Sequence, residues 1–192
     1  MGKLSNSFYQ RRNVLKISKD LLGKLICTKI NGKFTSGIIT DVEAYRGTND
    51  KASHAYNNKK TNRTKIMYKN GGITYAYLCY GIHYLFNVIT NKKNIADAIL
   101  IRGIKPTNGL EIMMKRRNKN TINQKFTSGP AMVTQALGIN LNHNNMSLQK
   151  NLIWIEDIDK KIKNNNIIST ARIGIDYAGN DALLPYRFYI KI

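Results

Sequence analysis

Acidic residues are scarce in this chain: 11 Asp and Glu stand against 31 Lys and Arg, for a formal net charge of +20 and a pI near 10.0. An excess of this size points to a polyanionic partner, either nucleic acid or an anionic membrane. Long apolar runs are also missing. No stretch approaches bilayer-spanning length and no secretory apolar segment follows Met1, so the expectation is a soluble, intracellular protein with no membrane role. Cysteine is limited to Cys27 and Cys79, too few for a disulfide framework and without metal-ligand spacing. They read as buried thiols, and neither a metal nor a cofactor is expected. Internal repeats and dividing linkers are absent too, which leaves 192 residues as one domain, 1–192.

Chemistry concentrates in residues 41–54, where the apolar strand Gly37-Ile38-Ile39-Thr40 runs into a polar loop. Glu43 and Tyr45 are two apart, so on a strand they project from one face and can share a pocket. A carboxylate beside a ring fits a base and a stacking wall, with His54 returned by the loop. The same spacing also fits a salt-bridged strand end. Residues 46–65 are polar and basic without a period, and a loop of that length inside a compact domain argues for function.

Around this stretch, residues 13–22 place Val14, Ile17 and Leu21 on one helical stripe ahead of Gly23. Residues 24–30 and 33–42 read as strands joined by an Asn31-Gly32 hairpin turn. Residues 74–80 and 84–90 form a second hairpin with its tip at Tyr80 to His83. Tyr75, Tyr84 and Phe86 read as ordinary sheet packing. Arg102 lies on a strand spanning 98–104 between apolar neighbours, where it needs a partner such as Glu43 or a phosphate. A helix over 108–117 turns Leu110, Met113 and Met114 inward and carries Lys115-Arg116-Arg117 at its C-terminal end, where cations complement the dipole. Ser128-Gly129-Pro130 opens another helix, whose start suits either a phosphate or simple capping. Residues 152–155, 171–175 and 187–190 read as further strands.

The ordered set Leu21-Leu22-Gly23-Lys24, Glu43-Ala44-Tyr45, Ser53-His54, Thr61-x-Arg63 with Met67, Tyr75-x-Tyr77-x-x-Tyr80-Gly81, Asn87, Ile101-Arg102, Ser128-Gly129-Pro130, Gln135-Ala136-Leu137 and Arg172-Ile173-Gly174 resembles the alkyladenine (3-methyladenine) DNA glycosylases of the mammalian and bacterial type. The resemblance runs through nearly the whole chain. It implies an α+β single domain with a curved, mainly antiparallel sheet, a protruding DNA-inserting β-hairpin and surrounding helices. The implied activity is a monofunctional glycosylase, working as a monomer on double-stranded DNA that contains damaged purines, in the cytoplasm of a bacterial cell in association with the nucleoid. Such an enzyme flips the purine out of the duplex, because the glycosidic bond is inaccessible inside the stack.

Carried over by residue, Glu43 activates water and Arg102 helps hold it. Tyr45, Tyr77 and His54 enclose the flipped base, Asn87 screens it, the backbone of Ile175 lines the pocket and Tyr80 fills the gap in the duplex. Lys59, Lys60 and Arg63 fall to the DNA backbone. 3-Methyladenine is the implied substrate, with 7-methylguanine, hypoxanthine and ethenoadenine as further candidates. Thr64, Ile82 and Lys105 differ from residues frequent in the family, which leaves the lesion range open. Two other classes stay in view: a non-catalytic nucleic-acid-binding domain on the same fold, which would not need Glu43 with Arg102, and a nucleoside glycosidase, which would need neither the charge nor Tyr80.

Overall fold

The computed structural model describes residues 2–191. The N-terminal elements β1 (Gly2–Lys3), α1 (Asn6–Tyr9) and α2 (Val14–Leu21) lead into the hairpin β2 (Leu25–Ile30) and β3 (Lys33–Tyr45). In α2 the stripe Val14, Ile17, Leu21 is buried, and the Asn13 side chain accepts the Lys16 N–H to close the first turn. Asn31 and Gly32 both take positive φ, 52° and 73°, as a two-residue hairpin turn requires. The chain continues through β4 (Ile73–Cys79), β5 (His83–Thr90), β6 (Asp97–Asn108), α3 (Leu110–Arg117), α4 (Pro130–Leu137), β7 (Ile153–Asp157), β8 (Ile168–Thr170) and β9 (Arg187–Tyr189).

Among the described residues the nine strands form one antiparallel sheet, ordered β1-β7-β2-β3-β6-β5-β4, with β9 on β3 and β8 on β9. Strand β3 is the spine. One edge pairs with β6; the other pairs with β2 through Ile38 and with β9 from Asp41 onward. Register shifts interrupt β3–β6 between Ile39 and Asp41 and again before Val42, and bulges of this kind bend and twist a sheet. A side chain at Gly103 would meet Asp41 Cβ at 3.0 Å and Thr40 Oγ1 at 3.1 Å, so glycine lets the strands approach closely at the bulge.

Cross-strand partners run in a row from Tyr75 to Asn87 to Leu100 to Glu43 to Arg187. Paired residues share a face, so this row is one stripe across four strands plus β9's edge. The alternate residues Val42, Ala44, Val88, Ile99 and Ile101 face the other way into the main core, with Ile17 and Leu21 of α2 and Val133, Ala136 and Leu137 of α4. A second cluster explains the order of the long polar loop. Ala55, Ile66, Met67 and Tyr68 anchor it on Tyr75, Ile89 and Ala98, leaving the basic residues outside.

Several local expectations are corrected. The strand expected over 171–175 lies at Ile168–Thr170; residues 171–174 belong to no helix or strand, because β9 takes its partner three residues earlier. Leu110 is 40% exposed; α3 is two turns long and its only fully buried position is Met113. Gly129, not Ser128, occupies the N-cap of α4 and makes no side-chain cap, since Ser128 bridges to Gly103. Arg116 does more than complement its own helix: its guanidinium donates to the Ala136 carbonyl at 3.1 Å, in the last turn of α4. Tyr84 is 37% exposed and not packed in the core, whereas Phe86 is fully buried.

Candidate active site

The stripe from Tyr75 to Glu43 forms the floor of a cavity of about 600 Å³, the size of pockets that take small organic ligands. Glu43 is fully buried. Its two oxygens are held separately: the Ile173 amide donates to Oε1 at 2.9 Å, and the Tyr45 hydroxyl donates to Oε2 at 2.8 Å. Arg102 Nη1 stands 3.3 Å from Oε1, and the same guanidinium reaches Asp41 at 4.0 Å, whose carboxylate Arg187 in turn holds at 2.7 Å. Burial raises the Glu43 pKa above the usual carboxylate value, opposed first by Arg102, then by the Ile173 amide and the Tyr45 hydroxyl. A carboxylate in this setting has the properties of a general base: positioned, desolvated and more basic than in water. Burial and the neighbouring Glu43 push the Tyr45 phenol up as well, so it stays protonated and donates.

The Tyr75 end of the cavity is aromatic. Tyr75 and Tyr77 pack with ring centroids 5.3 Å apart, and His54 meets Tyr77 edge-on at 4.8 Å. His54 Nδ1 lies 2.9 Å from the Tyr75 hydroxyl. Burial, then Arg63, then Lys59 lower the His54 pKa to about 4, so the imidazole is neutral at physiological pH. His54 is not a charged acid at neutral pH, although its ring nitrogens remain suited to hydrogen bonding with a base. Asn87 is buried and donates to the Tyr75 carbonyl at 3.2 Å, while Ile175, 5% exposed, lines the cavity from the other side.

At the rim, Tyr80 is 86% exposed with φ 50°, and Ile82 beside it is 72% exposed. A left-handed tyrosine is uncommon and strained; here it falls at the hairpin turn with the ring exposed. Arg63 sits against the wall, its guanidinium 4.6 Å over the Tyr77 ring and its Nε donating to the Tyr75 hydroxyl at 3.2 Å. Lys59 is exposed on the loop, and the Lys60 ammonium lies 4.7 Å over the Tyr68 ring. Residues 129–132, at the start of α4, close another side of the cavity.

Sequence reasoning missed three residues. Tyr75 reads as sheet packing, yet its hydroxyl ties His54 to Arg63; the i, i+2 spacing with Tyr77 was the available signal. Asp50 and Arg172 form a buried pair behind Tyr45, with bonds of 2.5 and 2.9 Å. Arg172 was visible as part of a motif, but nothing local connects it to a residue 122 positions away. Among the described residues no three His, Cys, Asp or Glu side chains group as metal ligands, and no helix is long and apolar enough to cross a membrane.

The profile of the methylpurine-DNA glycosylase family matches residues 7–192. The chain is 49% identical over 190 residues to a protein of Chlamydia felis (strain Fe/C-56), covering 98% of this chain and 96% of that one. It is 46% identical over 190 residues to one of Chlamydia abortus (strain DSM 27085 / S26/3), covering 98% of each. Identity to a protein of Clostridium perfringens (strain 13 / Type A) is 40% over 197 residues, covering 98% of this chain and 96% of the other. Each of the three carries the name "Putative 3-methyladenine DNA glycosylase".

Proposed function

The chain belongs to the methylpurine-DNA glycosylase family, and from that premise we propose that it excises 3-methyladenine and related alkylated or deaminated purines from duplex DNA by hydrolysis. The damaged nucleotide leaves the stack and its base enters the cavity. Glu43 takes a proton from water; the water oxygen bonds to C1′ of the sugar as the C1′–N bond breaks, and the purine departs with the bonding electrons. The Glu43 charge also stabilises the positive charge that develops on the sugar. Arg102 steadies the carboxylate and the water. The observation that carries this reading is a fully buried carboxylate on the floor of an aromatic-walled cavity.

Position supports the remaining roles. Tyr45, Tyr77 and His54 enclose the base, where a cationic alkylated purine stacks favourably on electron-rich rings. Asn87 and Ile175 limit what fits, which restricts the range among 3-methyladenine, 7-methylguanine, hypoxanthine and ethenoadenine. Tyr80 enters the gap left in the duplex, and Lys59, Lys60 and Arg63 take phosphates of the flanking backbone. The enzyme acts as a monomer in the bacterial cytoplasm, at the nucleoid. Duplexes carrying one defined lesion each provide the test. Release of the free methylated base, leaving an abasic strand, is expected; lesion binding without release would favour a non-catalytic binder, and borohydride trapping of a covalent adduct would replace water with an amine nucleophile.

A further inference from the structure

The Asp50–Arg172 pair lies behind the pocket wall and touches none of the reacting atoms. Both side chains are almost fully buried, at 1% and 5% exposure. Arg172 uses its two terminal nitrogens on four acceptors: Asp50 twice, the Ala44 carbonyl at 2.9 Å and the Asp181 carbonyl at 3.1 Å. Asp50 accepts in addition from the amides of Arg46 and Ala52. The pair therefore ties three pieces of chain: the end of β3, the loop that carries His54, and the segment after β8. The Arg172 guanidinium also lies 4.8 Å over the Tyr45 ring.

Residues 171–174 are in no helix or strand, so sheet hydrogen bonding does not set their position. Yet the residue next to Arg172 supplies the Ile173 amide that holds Glu43 Oε1. A buried ion pair is an inefficient way to stabilise a fold, because desolvation offsets much of the attraction. What it does provide is a fixed geometry. We propose that Asp50–Arg172 is a positioning pair for catalysis, which locks the Ile173 amide onto Glu43 and braces the Tyr45 ring that bonds the same carboxylate.

The inference rests on the glycosylase reading of Glu43 and extends it to residues that never meet the substrate. Glu43 is faced by Arg102 from β6, by Asp41 and Tyr45 on its own strand, by Arg187 from β9, and by Arg172 with the Ile173 amide from the loop. Burial already raises its pKa, and the amide is one of the groups that lower it. Loosening that amide leaves burial less opposed, so Glu43 protonates at higher pH and the base form is lost earlier on acidification.

The test is the pH dependence of single-turnover excision for Arg172→Lys and Ile173→Pro, with melting temperature and lesion-duplex affinity measured on the same samples. Lysine keeps the charge but cannot make the forked contacts, and proline deletes the amide donor while also fixing φ and replacing the Ile173 side chain. The expected result is an acid limb moved upward by roughly one pH unit in both variants, since one hydrogen bond to a carboxylate is worth about that much. The rate at neutral pH should fall several-fold, with lesion binding close to wild type. Variants that melt lower but keep the wild-type pH profile would reduce the pair to a structural brace and overturn the inference. If Arg172→Lys does not fold, Asp50→Asn takes its place: it keeps the shape but removes the charge that holds the Arg172 fork, and the same upward move of the acid limb is expected. A wild-type enzyme that releases no base would sink the glycosylase reading itself, a result distinct from active wild type with unmoved variants.

Discussion

The cavity floor and the hairpin tip are both built on tyrosines, and they treat them in opposite ways. At the floor, Tyr45 and Tyr75 are tied down by hydrogen bonds to Glu43, His54 and Arg63. At the tip, Tyr80 is exposed and carries a strained backbone. The floor must hold a charged carboxylate out of water, which is tolerable only when each oxygen has a partner. In the proposed function the tip serves a partner that is not yet there: the exposed ring enters a gap that opens only when a nucleotide leaves the duplex.

The largest expected effect comes from breaking the floor. Glu43→Gln preserves shape but cannot take a proton, so single-turnover excision should fall by roughly 10²–10⁴-fold while lesion-duplex binding stays near wild type. Near-normal excision would move the base function to another group. At the tip, Tyr80→Ser should weaken binding to an abasic-analogue duplex by roughly tenfold, out of the few kcal/mol that unstacking costs, with little change in melting temperature. Equal losses on undamaged and lesion duplexes, or a melting temperature several degrees lower, would assign Tyr80 to the scaffold.

Replacing Lys59 and Lys60 together tests the basic rim between the two regions. Affinity should drop for all duplexes alike, and the salt slope should become shallower by up to roughly two units. A loss confined to lesion DNA would put these lysines on the flipped base instead of the backbone. The smallest effect concerns His54. Its folded pKa, about 4, lies below the ordinary 6.5, so the folded state binds that proton less readily than the unfolded chain. Its contribution to stability is full above pH 6.5 and disappears as pH falls through 6.5 toward 4. An NMR titration of the His54 ring should show a midpoint well below 6; a midpoint at 6.5 would mean the wall is more hydrated than its packing indicates.

Much of the fold was legible because it follows from local pattern. The α2 stripe, the Asn31-Gly32 turn and the alternation that sets Glu43 and Tyr45 on one face depend on neighbours a few residues apart. Elements that depend on a distant partner were misjudged. Residues 171–175 look like a strand, yet the pairing with β9 falls at 168–170. Tyr75 looks like sheet packing until the loop brings His54 and Arg63 to its hydroxyl.

By itself, then, the sequence determined the charge that calls for a polyanion, the strands and turns, and the Glu43-x-Tyr45 geometry, because period and propensity act over a few residues. Its ordered motifs also carried the family resemblance. Only the tertiary structure decided that Tyr75, Asn87, Leu100 and Glu43 form one row, that His54 is neutral, and that Asp50 meets Arg172 across 122 residues. Those facts depend on strand register, burial and desolvation, which exist only once segments far apart in the chain have packed together.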